Sequence, residues 1–251
     1  MLELWDLRAG YGHSEVLHGI RANLCPGQLV CILGPNGCGK STLLKTLPGI
    51  LPITGGKILL DGRAVTDYPR TALAKRMAYL SQGRRVPAMT VGELVLHGRF
   101  PHLQFPRRYS AEDRRIAEDA MDQMGISAEA KRPLSALSGG MRQSACLAMA
   151  LAQQADYILL DEPTTYLDIG HQLALMRLLR SIADGGCAVA AIMHDLPLAL
   201  TYADAVWVMR NGVLVMSGTP GEVCTSGVLH EVFGVDMIAD NGSYYCRLRR
   251  D

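Results

Sequence analysis

The pattern of apolar and polar positions divides the chain into three stretches. Up to about residue 82, apolar residues come in short strand-like runs at 2–7, 16–24, 29–33, 58–60 and 77–80. The middle reads as helical. Thr90 can cap a helix through Leu96, and Ser110-Ala111-Glu112-Asp113 opens another. In that second helix Ile116, Ala117, Ala120, Met121 and Met124 share a face, and Gly125 stops it. A third helical stretch follows Gly140 and runs through Ala152. From about residue 155, strand and helix alternate: strand 157–160, helix 167–182, strand 188–193 and a short helix 198–203. Runs at 206–209 and 213–216 flank Asn211-Gly212, which predicts a hairpin. Thr219-Pro220-Gly221-Glu222 supplies an N-cap, a first-turn proline and an acid at the third position of a further helix. Pro101 and Pro106 bracket a loop. The expectation is an α/β core, residues 1–84 and 156–251, interrupted by a mainly helical insertion at 85–155.

Composition narrows the class. The 251 residues carry 25 Lys plus Arg against 24 Asp plus Glu, and nearly half are hydrophobic. Such a chain buries a sizeable core, which excludes disorder as its main state. The near-neutral balance argues against a basic nucleic-acid binder. No run of about 18 uncharged apolar residues is present, so no membrane span is expected, and the first residues lack the pattern of a signal peptide. Seven scattered cysteines without a C-x-x-C pair point to a reducing compartment, not to a disulfide framework or zinc site.

Three segments carry chemistry. Gly34-Pro35-Asn36-Gly37-Cys38-Gly39-Lys40-Ser41 fits G-x-x-x-x-G-K-[ST], with an apolar strand before it and a helix-compatible run from Thr42 after it. Glycines let backbone N–H groups converge on phosphate oxygens, and the following helix adds its positive end. Lys40 can reach the β- and γ-phosphates, and the Ser41 hydroxyl can ligate Mg²⁺. Cys38 is either a thiol activated by the helix start or a small residue that fits. A metal-side acid is then needed at a strand end. Asp61 precedes Gly62 and reads as a turn, whereas Asp161 is followed by Glu162. Asp161 can hold Mg²⁺ through water, and Glu162 can polarise the attacking water. Finally, Leu137-Ser138-Gly139-Gly140-Met141-Arg142-Gln143 places a hydroxyl and two glycines at a helix start, a second anion site. Two phosphate-binding ends with one acid pair suggest a head-to-tail dimer, each nucleotide lying between one chain's loop and the other chain's serine.

The ordered set resembles the ATP-binding cassette ATPases over essentially the whole chain. In that likeness residues 34–41 are the Walker A motif, 157–162 the Walker B motif and 137–143 the signature motif. Tyr11 lies where an aromatic stacks on adenine, Gln82 at the Q-loop, Leu167-Asp168 at the D-loop, and His194 is the switch histidine. The resemblance implies a P-loop NTPase (RecA-like) core with an N-terminal antiparallel β-subdomain and an inserted α-helical subdomain. It also implies ATP and Mg²⁺ as cofactors, with Glu162, His194, Gln82 and Lys40 catalytic, and Ser41, Gln82 and Asp161 on the metal. Nucleotide contacts would come from Tyr11, residues 34–42, Ser138, Gly139, Gly140 and Asp168. Two departures stand out: Met141 where glutamine is usual, and Ser144 where arginine is common.

Further stretches look like the importers of iron–siderophore complexes, haem and cobalamin: Gly98-Arg99-Phe100-Pro101-His102, Tyr109 to Asp113, Thr164 to Gln172, and Glu231 to Val235. The implied partners are a second copy, integral membrane permease subunits and, indirectly, a substrate-binding protein, with the chain on the cytoplasmic face of the inner membrane. A soluble cassette of iron–sulfur assembly would show similar motifs. Phe100, Pro101, His102 and Phe105 form an apolar loop, either core filling or a docking surface.

Overall fold

The computed structural model describes residues 1–81 and 87–247. The chain opens with strands β1 (Leu2–Tyr11), β2 (Ser14–Leu24) and β3 (Leu29–Leu33). Helix α1 (Lys40–Thr46), strands β4 (Ile53–Leu60) and β5 (Arg63–Ala64), helix α2 (Arg70–Arg76) and strand β6 (Met77–Leu80) follow. The middle is helical, with α3 (Val91–His97), α4 (Ala111–Gln123) and α5 (Gly139–Ala152). Next come β7 (Tyr157–Asp161), α6 (Ile169–Asp184), β8 (Ala188–Ile192), α7 (Leu196–Tyr202), β9 (Ala205–Arg210) and β10 (Val213–Gly218). Helices α8 (Pro220–Thr225) and α9 (Val228–Phe233) lead to a ribbon of β11 (Asp236–Asp240) and β12 (Ser243–Arg247).

Two sheets form the body. The first runs β2-β1-β4-β5 and the second β10-β9-β3-β8-β7-β6. In the second sheet β9, β3, β8, β7 and β6 are mutually parallel, and only β10 pairs antiparallel. Strands β3, β7 and β8 are buried along their whole length, which their unbroken apolar runs require of strands covered on both faces. One apolar cluster fills the space between this sheet and α6 and α7, with Leu175, Met176 and Leu179 at its centre. A second joins its other face to the antiparallel sheet through Leu43, Leu44, Trp207 and Tyr157. A third lies within the helical stretch and involves Val91, Val95, Ile116, Ala120, Ala145 and Ala148.

The predicted caps form. Thr90 with Glu93, Ser110 with Asp113 and Thr219 with Glu222 each make both hydrogen bonds of a capping box. Asn211 and Gly212 both take positive φ, as the hairpin between β9 and β10 requires. Differences are local. Strand β4 starts at Ile53, five residues before the predicted run, because Gly56 (φ 72°) lets it pass the backbone of Trp5 and Asp6 that any side chain would strike. Helix α7 begins at Leu196, capped by the Asp195 carboxylate, two residues earlier than expected. Helix α2 and the β11–β12 ribbon were not anticipated. Pro101 to Pro106 is a loop, but it contains a single 3₁₀ turn at Phe100–His102.

Candidate nucleotide site

The parallel sheet brings three chemically distinct segments to one edge. Strands β3, β8 and β7 are neighbours, and the chain leaving their carboxyl ends carries the 34–41 loop, His194 and Asp161-Glu162 respectively. Open α/β sheets place ligands at this edge. A cavity of about 570 Å³ lies there, lined by Val16, Asn36, Gly37, Gly39, Lys40, Ser41, Thr42, Glu162 and His194.

Local sequence explains the loop. Gly37 (φ 78°) and Gly39 (φ 105°) occupy the left-handed region, and a side chain on Gly34 would collide with the Met209 carbonyl. The buried Lys40 ammonium donates to the carbonyls of Gly34 (2.6 Å) and Pro35 (3.0 Å), so its charge stays on the loop. The hairpin turn braces the loop from behind, Gly212 N–H donating to Cys38 O at 3.0 Å.

Across the cavity floor the Ser41 hydroxyl donates to Asp161 Oδ1 at 2.9 Å, and the Tyr79 hydroxyl donates to Oδ2 at 3.4 Å. Burial pushes the Asp161 carboxyl above its ordinary range and the neighbouring Glu162 charge adds to this, while the Ser41 and Tyr79 hydrogen bonds oppose it. Glu162 Oε1 lies 2.7 Å from His194 Nε2. Its backbone has φ 55°, an uncommon conformation for a non-glycine residue and one that accumulates at functional sites. A carboxylate paired with an imidazole beside a bound lysine and serine can orient water and take its proton.

Other expected residues fall around this centre. Tyr11 ends β1, half exposed, with the Lys45 ammonium 5.9 Å from its ring centroid. Asp161 and Glu162 come together with Lys40 and Ser41, whereas Asp61 sits in a turn and pairs with Arg76 at 2.8 Å. Gln82 lies outside the described residues. Ser138, Gly139 and Gly140 do not line the cavity of this chain. The Ser138 hydroxyl accepts from Met141 N at 3.2 Å, and the two glycines pack on Tyr166 and Leu167. Asp168 caps α6 and accepts from His171 Nδ1 at 2.8 Å. Cys38 corrects one option left open by the sequence: its thiol is buried, and burial pushes its pKa up more than Lys40 lowers it.

Sequence reasoning missed three contributors. Tyr79 and Val16 carry no motif of their own. Gln143 lies within the signature stretch, and its side-chain amide donates to Pro163 O at 3.0 Å, tying α5 to the segment after Glu162.

This fold, with a glycine-rich phosphate loop, lysine, serine and acid pair at the carboxyl edge of a parallel sheet, defines a P-loop nucleoside triphosphatase. Residues 17–165 match the ABC transporter model. The chain is 40% identical over 233 residues to the iron(3+)-hydroxamate import ATP-binding protein FhuC of Bacillus subtilis, covering 92% of this chain and 87% of that protein. It is 41% identical over 244 residues to the hemin import ATP-binding protein HmuV of Pseudomonas entomophila, covering 95% and 94%. A solved ABC transporter in an inward-facing conformation superposes with a TM-score of 0.81 at 27% identity, over 98% of this chain and 95% of that one. The chain belongs to the ABC transporter family and is an ATPase coupled to transport. No helix among the described residues is long and apolar enough to cross a membrane.

Proposed function

We propose that this chain is the ATP-hydrolysing subunit of an importer for ferric siderophores, working as a head-to-tail pair on the cytoplasmic face of a membrane beneath separate permease subunits. A substrate-binding protein would deliver cargo without touching the chain. The observation that carries the ATPase reading is the convergence of Lys40, Ser41, Glu162 and His194 on one cavity. Import is supported by relatives that match nearly end to end and whose names state it. A haem importer is the second reading, favoured by the hemin relative at 41% identity.

ATP would lie with its phosphates on residues 34–42 and its base against Tyr11. Ser41 and Asp161 offer the hard oxygen donors that Mg²⁺ takes, and their 2.9 Å pairing at the cavity floor suits one shared ion. When bound, Mg²⁺ supplies neutralisation of phosphate charge. Lys40 withdraws further charge, Glu162 holds and deprotonates the attacking water, and His194 fixes the carboxylate. Gln82 would complete the metal side. Ser138, Gly139, Gly140 and Asp168 would act on the nucleotide of the other copy.

The test is purification of the chain with the membrane subunits it brings down, reconstituted in liposomes. Uptake of ferric hydroxamate, driven by MgATP and absent with haem, is the expected result. Uptake of haem alone selects the second reading. Co-purification with a soluble scaffold in place of a membrane protein refutes import.

A further inference from the structure

The Gly98-Arg99-Phe100-Pro101-His102 stretch has no part in nucleotide chemistry, yet its polar residues are firmly engaged. Gly98 ends α3 where any Cβ would collide with the Met149 carbonyl, so α3 closes directly on α5. Arg99 is buried. Its Nε donates to Asp113 Oδ1 at 3.0 Å, and its Nη1 donates to Ala152 O (3.0 Å) and Gln154 Oε1 (3.1 Å). The His102 Nε2 meets Gln153 O at 2.8 Å. Arg99 and His102 thus hold the carboxyl end of α5, whose amino end is the Ser138 segment.

The same Gln153 reaches the other way. Its side-chain Nε2 donates to Ala74 O (2.6 Å) and to Met77 O (2.9 Å), at the end of α2 and the first residue of β6. Two steps along β6, the Tyr79 hydroxyl touches Asp161 in the nucleotide site. A strand is stiff along its axis, and its parallel pairing with β7 fixes it beside that acid. One half-buried amide therefore joins the strand under the acid pair to the exposed loop around Phe100 and Phe105.

We propose that Gln153, held at its carbonyl by His102 and flanked by the Arg99-bonded Ala152 and Gln154, is a positioning residue that passes the state of the nucleotide site from β6 to the 99–108 loop and the signature helix. Its two donated hydrogen bonds are the polar connection, lying beside the apolar cluster that Leu147 and Ala150 of α5 share with Ala78 and Leu80 of β6.

The inference rests on the proposed nucleotide site, and the experiment carries an internal control for it. Amide hydrogen exchange of the full chain is followed with and without Mg²⁺ and adenylyl imidodiphosphate. In the wild type, exchange should change both in the 34–42 loop and in residues 99–108. Gln153→Met keeps the length of the side chain and removes both donors. It should preserve the 34–42 response and the melting temperature within about 3 °C, while the 99–108 response falls at least threefold. Gln153→Lys, whose ammonium can donate to two carbonyls, should restore it; a simple packing role would not distinguish Met from Lys in this way. An unchanged 99–108 response in Gln153→Met overturns the proposal, as does a wild-type chain in which only the 34–42 loop responds. If Gln153→Met fails to fold, His102→Phe is measured instead and must uncouple the same two regions. Absence of any 34–42 response in the wild type overturns the nucleotide site, and the connection with it.

Discussion

Replacing Arg99 by Met isolates the energetics of the buried pair in the helical stretch. The guanidinium and the Asp113 carboxylate are 9% and 12% exposed, 3.0 Å apart. Removing the cation leaves Asp113 with the Ser110 backbone N–H (2.9 Å) and hydroxyl (2.8 Å) as donors, and strips the Ala152 carbonyl of a partner. Breaking one side of a buried ion pair costs about 3–5 kcal/mol. The surviving Ser110 bonds place this case near the lower end, about 3 kcal/mol. For a chain of this size that corresponds to a fall of about 6–12 °C in melting temperature. The pH dependence has a definite sign. Burial pushes the Asp113 carboxyl up, but the Ser110 hydrogen bonds and Arg99 together hold it below its ordinary value. A depressed carboxyl contributes stability that is complete above the unfolded value, 3.8, and is lost as pH falls through the folded one. Without Arg99 the depression is smaller or reversed, so the gap between wild type and variant should narrow as pH drops below about 4. Urea unfolding at pH 7 and at about pH 3 measures this, and Arg99→Met/Asp113→Leu should recover at least half the loss by removing the stranded charge. A deficit under about 1 kcal/mol at pH 7, or one that does not change with pH, refutes the argument.

Glu162→Gln keeps the shape of the side chain beside His194 but not its basicity; ATP binding should persist while turnover falls about 10²–10⁴-fold, and near-normal turnover would remove Glu162 as the base. Buried Cys38 should react with a bulky maleimide more slowly than exposed Cys246, with MgATP slowing it further and modification abolishing ATP binding; fast labelling with full ATPase activity contradicts its placement. Phe100→Ser combined with Phe105→Ser should leave the ATPase rate of the isolated chain within a few-fold but remove stimulation by reconstituted membrane subunits; normal stimulation means that this loop is not the docking surface. Phe105 is 96% exposed and Phe100 45%, so the double change should not unfold the chain, as it would if these rings filled a core.

What the sequence made legible follows from how strongly each element is constrained locally. Strands β3 and β6 were read to the residue because buried parallel strands are unbroken apolar runs with polar ends. Helices with capping boxes were placed because the cap is written in two residues three apart. Helix α2 escaped because Leu73 is its only buried residue, so its sequence shows no apolar face. The C-terminal ribbon has only Met237 and Tyr244 packed on the core, too little alternation to see, although Asn241-Gly242 was a turn signal that could have found it. The phosphate loop and acid pair were legible because their chemistry is local. Contacts that cross the sheet were not: neither Tyr79 to Asp161 nor Gln153 to Met77 leaves a spacing in the sequence, since each depends on strand order.

In the proposed pair, control would belong to the arrangement of the two copies and not to the acid pair. Glu162 is already fixed: its backbone sits in a rare conformation, and its carboxylate is 2.7 Å from His194. Lys40 and Ser41 are likewise held, by loop carbonyls and by Asp161. A site so far preorganised within one chain has little left to adjust there. The signature residues are different. Ser138 to Gly140 lie outside the cavity, packed on a segment whose Tyr166 and Ile169 are 78% and 76% exposed. Large apolar side chains presented beside an anion-binding helix start suit a surface that meets another copy. In the proposed head-to-tail pair that surface would carry Ser138 to the partner's nucleotide. The position of α5, held at its far end by Arg99 and His102, would then decide when hydrolysis proceeds.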